Sequence, residues 1–452
     1  MKNQILKNAV ILGISGICAK SFDFIFRAYY SGKLGAEGVG LLSLGFGIHG
    51  VMLTVATAGL GVAVSKIVSE YMEKNNDGAV RQSMKLAVYG VVCLSLGVIL
   101  VTLLGAEWIA EHLLGDIRAS VSLCALAPSI LFMGMSYCLK GYFYAARKSV
   151  IPASSEFLEQ AVKFAAISGL LKLFLPKGIG YGCMAVFCGI SIGEFSSCLY
   201  LSLFFLREAK KFRKTAYPPG ILKEILKISV PSMISSLTGS GLRMQEEVVT
   251  VSALKSFGMP HGGAVAGLGL LHGMVMPMLV FPLTLAGSVT TLLVPEISRA
   301  NAGTDKTRLR RLILKGYRLW VTAGIFVMLL FRFFPMKLAM LIYHEPEIAK
   351  PIYYLSLLCP LMFADSFSCA VLNGMGKQFS MLLYSVLDSV LRLTGVWLFV
   401  PQFGMPALLC IIAASNLLTC TLTVGKVMKI SGLAKVNAVC LPGGAAVKKR
   451  HV

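Results

Sequence analysis

Apolar residues run in stretches of about 20 positions from one end of the chain to the other, separated by short polar connections. There are about 12 such stretches, at roughly 8–32, 38–68, 84–105, 119–143, 152–173, 182–206, 228–254, 264–294, 314–334, 352–375, 380–400 and 405–427. Each is long enough to cross a hydrocarbon core as a helix. No connection is long enough to hold a soluble domain. The pattern predicts an all-α polytopic membrane protein. The N-terminal MKNQILKNAV leads into a full-length span, so it reads as a retained first helix rather than a cleaved signal peptide.

Several spans are interrupted by charge. GICAKSFDFIFRAYYSGKLG (16–35) carries Lys20, Asp23 and Arg27, three and four residues apart on one helical face. A charge at the bilayer centre costs about 2.5–3.5 kcal/mol on insertion scales, so such residues are expected to face a bundle interior or a water-filled cavity.

The charged spans recur, and with them much of the chain. ILKNAVILGIS (5–15) aligns with ILKISVPSMIS (225–235), VSKIVSEY (64–71) with VPEISRAN (294–301), and RKSVIPASSEFLEQAVK (147–163) with GKQFSMLLYSVLDSVLR (376–392). Asp23 then corresponds to Arg243 and Arg27 to Glu247. Glu159 corresponds to Asp388 and Lys163 to Arg392. Arg243, Glu246 and Glu247 share a face of the seventh span, as Lys20, Asp23 and Arg27 do of the first. The order of these matches predicts two pseudo-symmetric six-helix lobes, 1–215 and 216–430, followed by a basic cytoplasmic tail, 431–452. An even number of spans per half puts both halves the same way up, related by an axis along the membrane normal, with a polar cavity between them. The fifth-helix pairs Glu159–Lys163 and Asp388–Arg392 either line that cavity or neutralise one another and lock helices together.

The net charge of +22 would suggest nucleic acid in a soluble chain. Here the basic residues cluster in alternate connections, at 74–85, 147–148, 207–227 and 298–318 and in the final VKKRHV. The intervening loops, AEWIAEHLLGD (106–116) and YHEPE (343–347), carry acids. Basic loops stay cytoplasmic, so both termini are expected inside a cytoplasmic membrane. Anionic lipid headgroups become the expected partners of the basic loops, and nucleic acid does not. The 12 cysteines are scattered through apolar spans without a metal or redox spacing. No nucleotide-binding loop, paired-acid motif or metal-ligand cluster is present, so neither an enzyme nor a resident cofactor is expected.

His49 and His272 each precede a glycine within the second span of their half and are protonatable candidates. Glu194 and Asp365 are single acids in apolar spans, suited either to a structural hydrogen bond or to a proton relay. Met-rich LLHGMVMPMLV (270–280) reads as packing.

FIFRAYYSGKLGAEGVGLL (24–42) resembles the first-helix signature of the multidrug/oligosaccharidyl-lipid/polysaccharide (MOP) flippase superfamily, in which an arginine near the end of helix 1 precedes a Leu-Gly and the glycine-rich start of helix 2. TAGLGVAVSKIVSEYMEKN (57–75), GYFYAARKSVIPASSEFLEQAVK (141–163) and LVFPLTLAGSVTTLLVPEISRA (279–300) resemble later parts of the same superfamily in the same order. Within it the chain is similar to the stage V sporulation protein B-like polysaccharide and peptidoglycan lipid flippases. The resemblance implies a V-shaped bundle that opens alternately to either side. It implies that Arg27 holds a diphosphate, with Lys20 assisting. It also implies a cation site, Na⁺ or H⁺, built from Glu246 or Glu247 with Asp388. The chain departs from the lipid II flippases in showing about 12 spans rather than 14. It also lacks a second-helix arginine, since 49–58 read HGVMLTVATA.

The expected function is therefore transport of a lipid-linked anionic saccharide across the cytoplasmic membrane, by a monomer. Lys20, Asp23, Arg27, Glu159, Lys163 and Arg243 line the cavity in this reading, with Asp23 orienting Arg27. Arg392, Glu194 and Asp365 serve as structural partners or relays. The alternative is cation-coupled export of amphipathic cations. A positive cavity favours the first and a negative one the second.

Overall fold

The computed structural model describes residues 2–213, 215–302 and 306–431. The expected tail at 431–452 lies, Ser431 apart, outside the described residues. Every regular element among the described residues is helical. They are α1 (Lys2–Thr57), α2 (Leu60–Glu73), α3 (Asp77–Trp108), α4 (Ala119–Ala145), α5 (Val150–Phe174), α6 (Ile179–Ala209), α7 (Ile221–Ser256), α8 (His261–Leu268), α9 (Met276–Ala302), α10 (Lys306–Phe333), α11 (Pro335–Ile342), α12 (Ala349–Leu355), α13 (Cys359–Gly374), α14 (Gln378–Phe403) and α15 (Met405–Ile430). A π-helical segment, Gly269–Val275, joins α8 to α9.

Among the described residues, nine helical stretches are long and apolar enough to cross a membrane. The first, Gly16–Glu73, contains two passes. Counting it twice and adding α5 and α7 gives the number of passes expected. Neither α5 nor α7 is among the nine, yet both have spanning length. They carry Glu156, Glu159 and Lys163, and Arg243, Glu246 and Glu247. Both helices that hydropathy alone misses carry acids and bases together in their middle turns.

The first two spans are one helix folded at a single residue. Gly35 takes φ 68° and ψ 179°, a region that side chains disfavour, and so separates the two passes without a loop. The second expected span, 38–68, is interrupted in its last third, where Ala58 and Gly59 take positive φ and end α1. The tenth, 352–375, is also broken. It begins as α12, passes through a 3₁₀ turn at Ser356–Leu358 and restarts as α13 with Pro360 in its first turn, where the missing N–H is harmless.

The two halves of the chain use the same contacts. In the first, α3 packs on α4, α4 on α6 and α5 on α6. In the second, α10 packs on α13, α13 on α15 and α14 on α15. The halves meet along α1, which packs on α7, α8, the π segment and α9. That contact is closest at Gly40 and Gly269. A methyl group on Gly40 would collide with the Val265 carbonyl, and one on Gly269 with the backbone of Ala36 and Gly40. Small residues let the helix backbones touch.

Burial along α1 shows where the molecule is closed. Phe26, Tyr30, Leu34, Leu41 and Leu42 are buried, whereas Lys20, Phe22, Asp23 and Ile25, nearer the N-terminus, are exposed. One face of α7 follows the same gradient, with Leu222, Leu226, Val230 and Ile234 exposed and Glu246, Glu247, Val251 and Leu254 buried, while Ile221 and Ile225 on its other face pack against α2. The helices thus splay at the end carrying the basic connections and close at the end carrying the Gly35 bend.

Candidate functional site

α1 and α7 converge toward the closed end. The polar stripe of α1 and Arg243 of α7 then face one cavity of about 470 Å³ between the halves. Lys20, Asp23, Phe24 and Arg27 of α1 line one wall, Arg243 of α7 and His272 of the π segment another, and Phe281 and Thr284 of α9 a third. A π-helical turn rotates the following side chains out of α-helical register. Here it brings His272 to the wall.

Arg27 is half-buried and lies within electrostatic range of Tyr30, Asp23 and Tyr343. The expected orienting pair with Asp23 is not formed. Among the described residues Asp23 makes no ion pair with Arg27. The reason is depth. Arg27 lies where α1 is packed among buried aromatics, while Asp23, one turn nearer the open end, projects into the cavity. Lys20 and Arg243 are likewise exposed to the cavity and form no ion pair among the described residues. Three cations and one carboxylate therefore face this space.

A second cavity of about 320 Å³ continues from it into the first half and shares Lys20 and Asp23. Glu159 and Lys163 of α5 close their expected pair at 3.0 Å. Glu194 of α6 is buried beside them and lines the same space. Lys140 of α4 pairs with Glu156 of α5 at 3.3 Å. Neither Lys140 nor Glu156 was singled out from the sequence. The signal available was a lone lysine inside the apolar run LFMGMSYCLKGYFYAA (131–146).

The second half carries its own charged group, away from the first. Arg392 of α14 lies 3.2 Å from Asp388 on its own helix and 3.8 Å from Glu246 on α7. Ser415 of α15 receives a hydrogen bond from Arg392 Nε at 2.6 Å and donates one to Asp388. Of the two candidate glutamates, the structure brings Glu246 to Asp388. Glu247 points elsewhere, packing its carboxylate against Gly47 of α1 with Oε2 buried and unpartnered.

The two histidines part company. His49 is buried in a hydrogen bond with Ser129 of α4, at 2.9 Å, and does not line the cavity. His272 lines the cavity, and its Nε2 is buried without a partner. Asp365 accepts a hydrogen bond from Thr423 at 2.7 Å, outside the cavity.

A polar cluster at the closed end joins the halves. Arg118, in the α3–α4 connection, pairs with Asp116 at 2.7 Å and with Glu37 at 2.8 Å. His261, the first residue of α8, donates from Nε2 to Asp116 Oδ2 at 3.0 Å. Burial pushes the Asp116 carboxyl up, but the hydrogen bonds from Arg118 and His261 more than offset it, so its pKa lies below the ordinary carboxylate value. The same contact, against the opposing effect of burial, raises the pKa of Arg118.

An all-α bundle whose charged side chains line a cavity between two similarly packed sets of membrane helices has the architecture of a secondary transporter. The chain belongs to the polysaccharide biosynthesis protein family, whose model matches residues 5–301. It is 28% identical over 452 residues to stage V sporulation protein B of Bacillus subtilis (strain 168), across 95% of this chain and 85% of that protein. It is 24% identical over 209 residues to the lipid II flippase MurJ of the same organism, across 42% of this chain and 38% of that protein. The fold matches a solved inward-facing conformation of a multidrug resistance MATE family transporter of the MOP superfamily. The TM-score is 0.76 at 16% identity, across 94% of this chain and 99% of that one.

Proposed function

We propose that the protein is a flippase, not an enzyme, that carries a lipid-linked anionic saccharide from the inner to the outer face of the cytoplasmic membrane by alternating access. The observation that carries this reading is the sign of the central cavity. Among the described residues, Lys20, Arg27 and Arg243 face it from both halves without ion-paired carboxylates, and Asp23 is the one acid there. A diphosphate supplies the missing anion. Arg27 is the main contact, because a guanidinium offers a planar fork of donors that matches phosphate oxygens. The prenyl tail stays in the bilayer between the splayed helices, while the headgroup moves through the polar interior.

The relatives support the chemistry. One is named a lipid II flippase, and the family is described by polysaccharide biosynthesis. Glu246, Asp388 and Arg392 are the proposed site of coupling to H⁺ or Na⁺. Both termini and the basic connections lie in the cytoplasm in this reading, so the splayed end opens inward.

The reading is tested by native mass spectrometry of the purified protein. Prenyl diphosphates bearing sugar are expected to be retained by the wild type and lost from Arg27→Ala. Retention of cationic amphiphiles instead would favour the export activity of multidrug relatives and contradict the proposal.

A further inference from the structure

A third cavity, of about 740 Å³, lies between α2, α4 and α5 on the splayed side. It shares Tyr137, Lys140 and Glu156 with the second cavity, which in turn shares Lys20 and Asp23 with the first. The three cavities thus adjoin one another in a row from this mouth to Arg27.

The mouth differs from the depth in that two of its three cations are paired. At Arg27 the cations stand without ion partners among the described residues. In the mouth Lys140 is bound to Glu156 at 3.3 Å and Arg147 lies 3.9 Å from Glu73, while Lys66, the third cation of the lining, forms no ion pair among the described residues. Cations satisfied in this way attract a phosphate less than unpaired ones do, because the nearby carboxylates repel the incoming anion. Paired charges suit neutral hydroxyl groups, which donate to a carboxylate and accept from an ammonium at once. The hydroxyls of Ser65 and Ser69 add further partners. Two tyrosines complete the lining, Tyr137 and Tyr144, at 57% and 41% exposed. Their rings offer broad apolar faces with a polar tip, in a wall otherwise rich in hydrogen-bonding groups. A pyranose has the complementary form, an apolar C–H face rimmed by hydroxyls.

We propose that this mouth cavity is the glycan subsite. It holds the saccharide of the substrate, stacked on Tyr137 and Tyr144 and hydrogen-bonded by Lys140, Glu156 and the serine hydroxyls, while the diphosphate lies at Lys20, Arg27 and Arg243. The assignment rests on the lipid-linked saccharide reading given above and adds the place at which the sugar is recognised.

Two probes test it on the full-length protein in nanodiscs: a short prenyl diphosphate, and the same compound carrying one N-acetylhexosamine. The wild type is expected to bind the sugar-bearing probe more tightly. The double substitution Tyr137→Ala/Tyr144→Ala is expected to remove that increment, a loss of about tenfold, or about 1.4 kcal/mol. It should leave affinity for the sugar-free probe unchanged, which also shows that the variant is folded. Tyr137→Phe/Tyr144→Phe keeps the ring faces and should keep the increment. Equal loss for both probes, or loss in the Phe variant as large as in the Ala variant, overturns the subsite. If the wild type binds both probes equally well, the subsite is wrong and the flippase reading stands. If it binds neither, both fail.

Discussion

Arg392 stands between carboxylates from two helices, Asp388 at 3.2 Å and Glu246 at 3.8 Å. A guanidinium in that position does what a coupling cation would do, neutralising both acids at once. Removing it alone leaves two poorly solvated carboxylates side by side. Arg392→Met is therefore expected to destabilise the protein by about 1–3 kcal/mol, the typical penalty for an unsatisfied buried polar group. The triple variant Arg392→Met/Glu246→Gln/Asp388→Asn is expected to recover most of the loss, while transport in it no longer depends on the ion gradient. Thermal unfolding in detergent reads the first effect, and transport with and without a gradient reads the second. Gradient dependence that survives in the triple variant would place coupling elsewhere. The repeat made Asp388 and Arg392 legible, because i, i+4 spacing fixes a shared face. The partnership with Glu246 was not legible, because it depends on how α7 and α14 are set against each other. Nor could spacing separate Glu246 from Glu247: adjacent residues lie about 100° apart on a helix, and packing alone decides which faces α14.

Element boundaries were visible where hydropathy changes and invisible where backbone geometry changes. The sequence placed passes on either side of Gly35. It did not show that one residue would suffice to turn the chain, nor that Pro360 would restart the tenth span. It also assigned the acidic character of 106–116 to topology. In the structure Asp116, from that loop, anchors the contact that closes one end. Arg118 and Glu37 are partly exposed, so each of their ion pairs contributes about 0–1 kcal/mol. The buried Asp116 is the stronger element. The variant Glu37→Gln/Asp116→Asn should loosen this end. Spin labels at positions 113 and 257 would then show a longer-distance population grown several-fold. An unchanged distance distribution would mean that helix packing at Gly40 and Gly269 closes the end without the cluster. The pH dependence follows from the sign of the Asp116 shift. Its pKa is lowered in the closed state, so its contribution is fully present above about pH 4, the ordinary carboxylate value. It is lost only as pH falls through the lower value of the closed state. The contribution of Asp116 to closure, read as the closed-population difference between wild type and Asp116→Asn in a His261→Gln background, should therefore be the same at pH 5 and pH 7.

At the scale of the whole molecule, two similarly packed sets of helices meet along α1, splayed at one end and closed at the other. The repeat and the positive loops lead to the expectation of two six-helix lobes with a common orientation. They could not foretell which conformation the bundle would take, since alternating access requires one sequence to satisfy two packings that differ by little free energy. In the conformation described here the unpaired cations sit where the path from the splayed end stops, and Arg27 is the deepest of the α1 charges. The central claim is that this arginine carries a diphosphate headgroup across the membrane. The direct measurement is translocation of a fluorescent, sugar-bearing prenyl diphosphate in proteoliposomes. The wild type should move the probe well above the protein-free rate. Arg27→Lys should be at least about tenfold slower, reflecting loss of a charge-assisted contact of about 1.5–3 kcal/mol, and Arg27→Ala should fall to the protein-free rate. Translocation by Arg27→Ala at the wild-type rate would contradict the account.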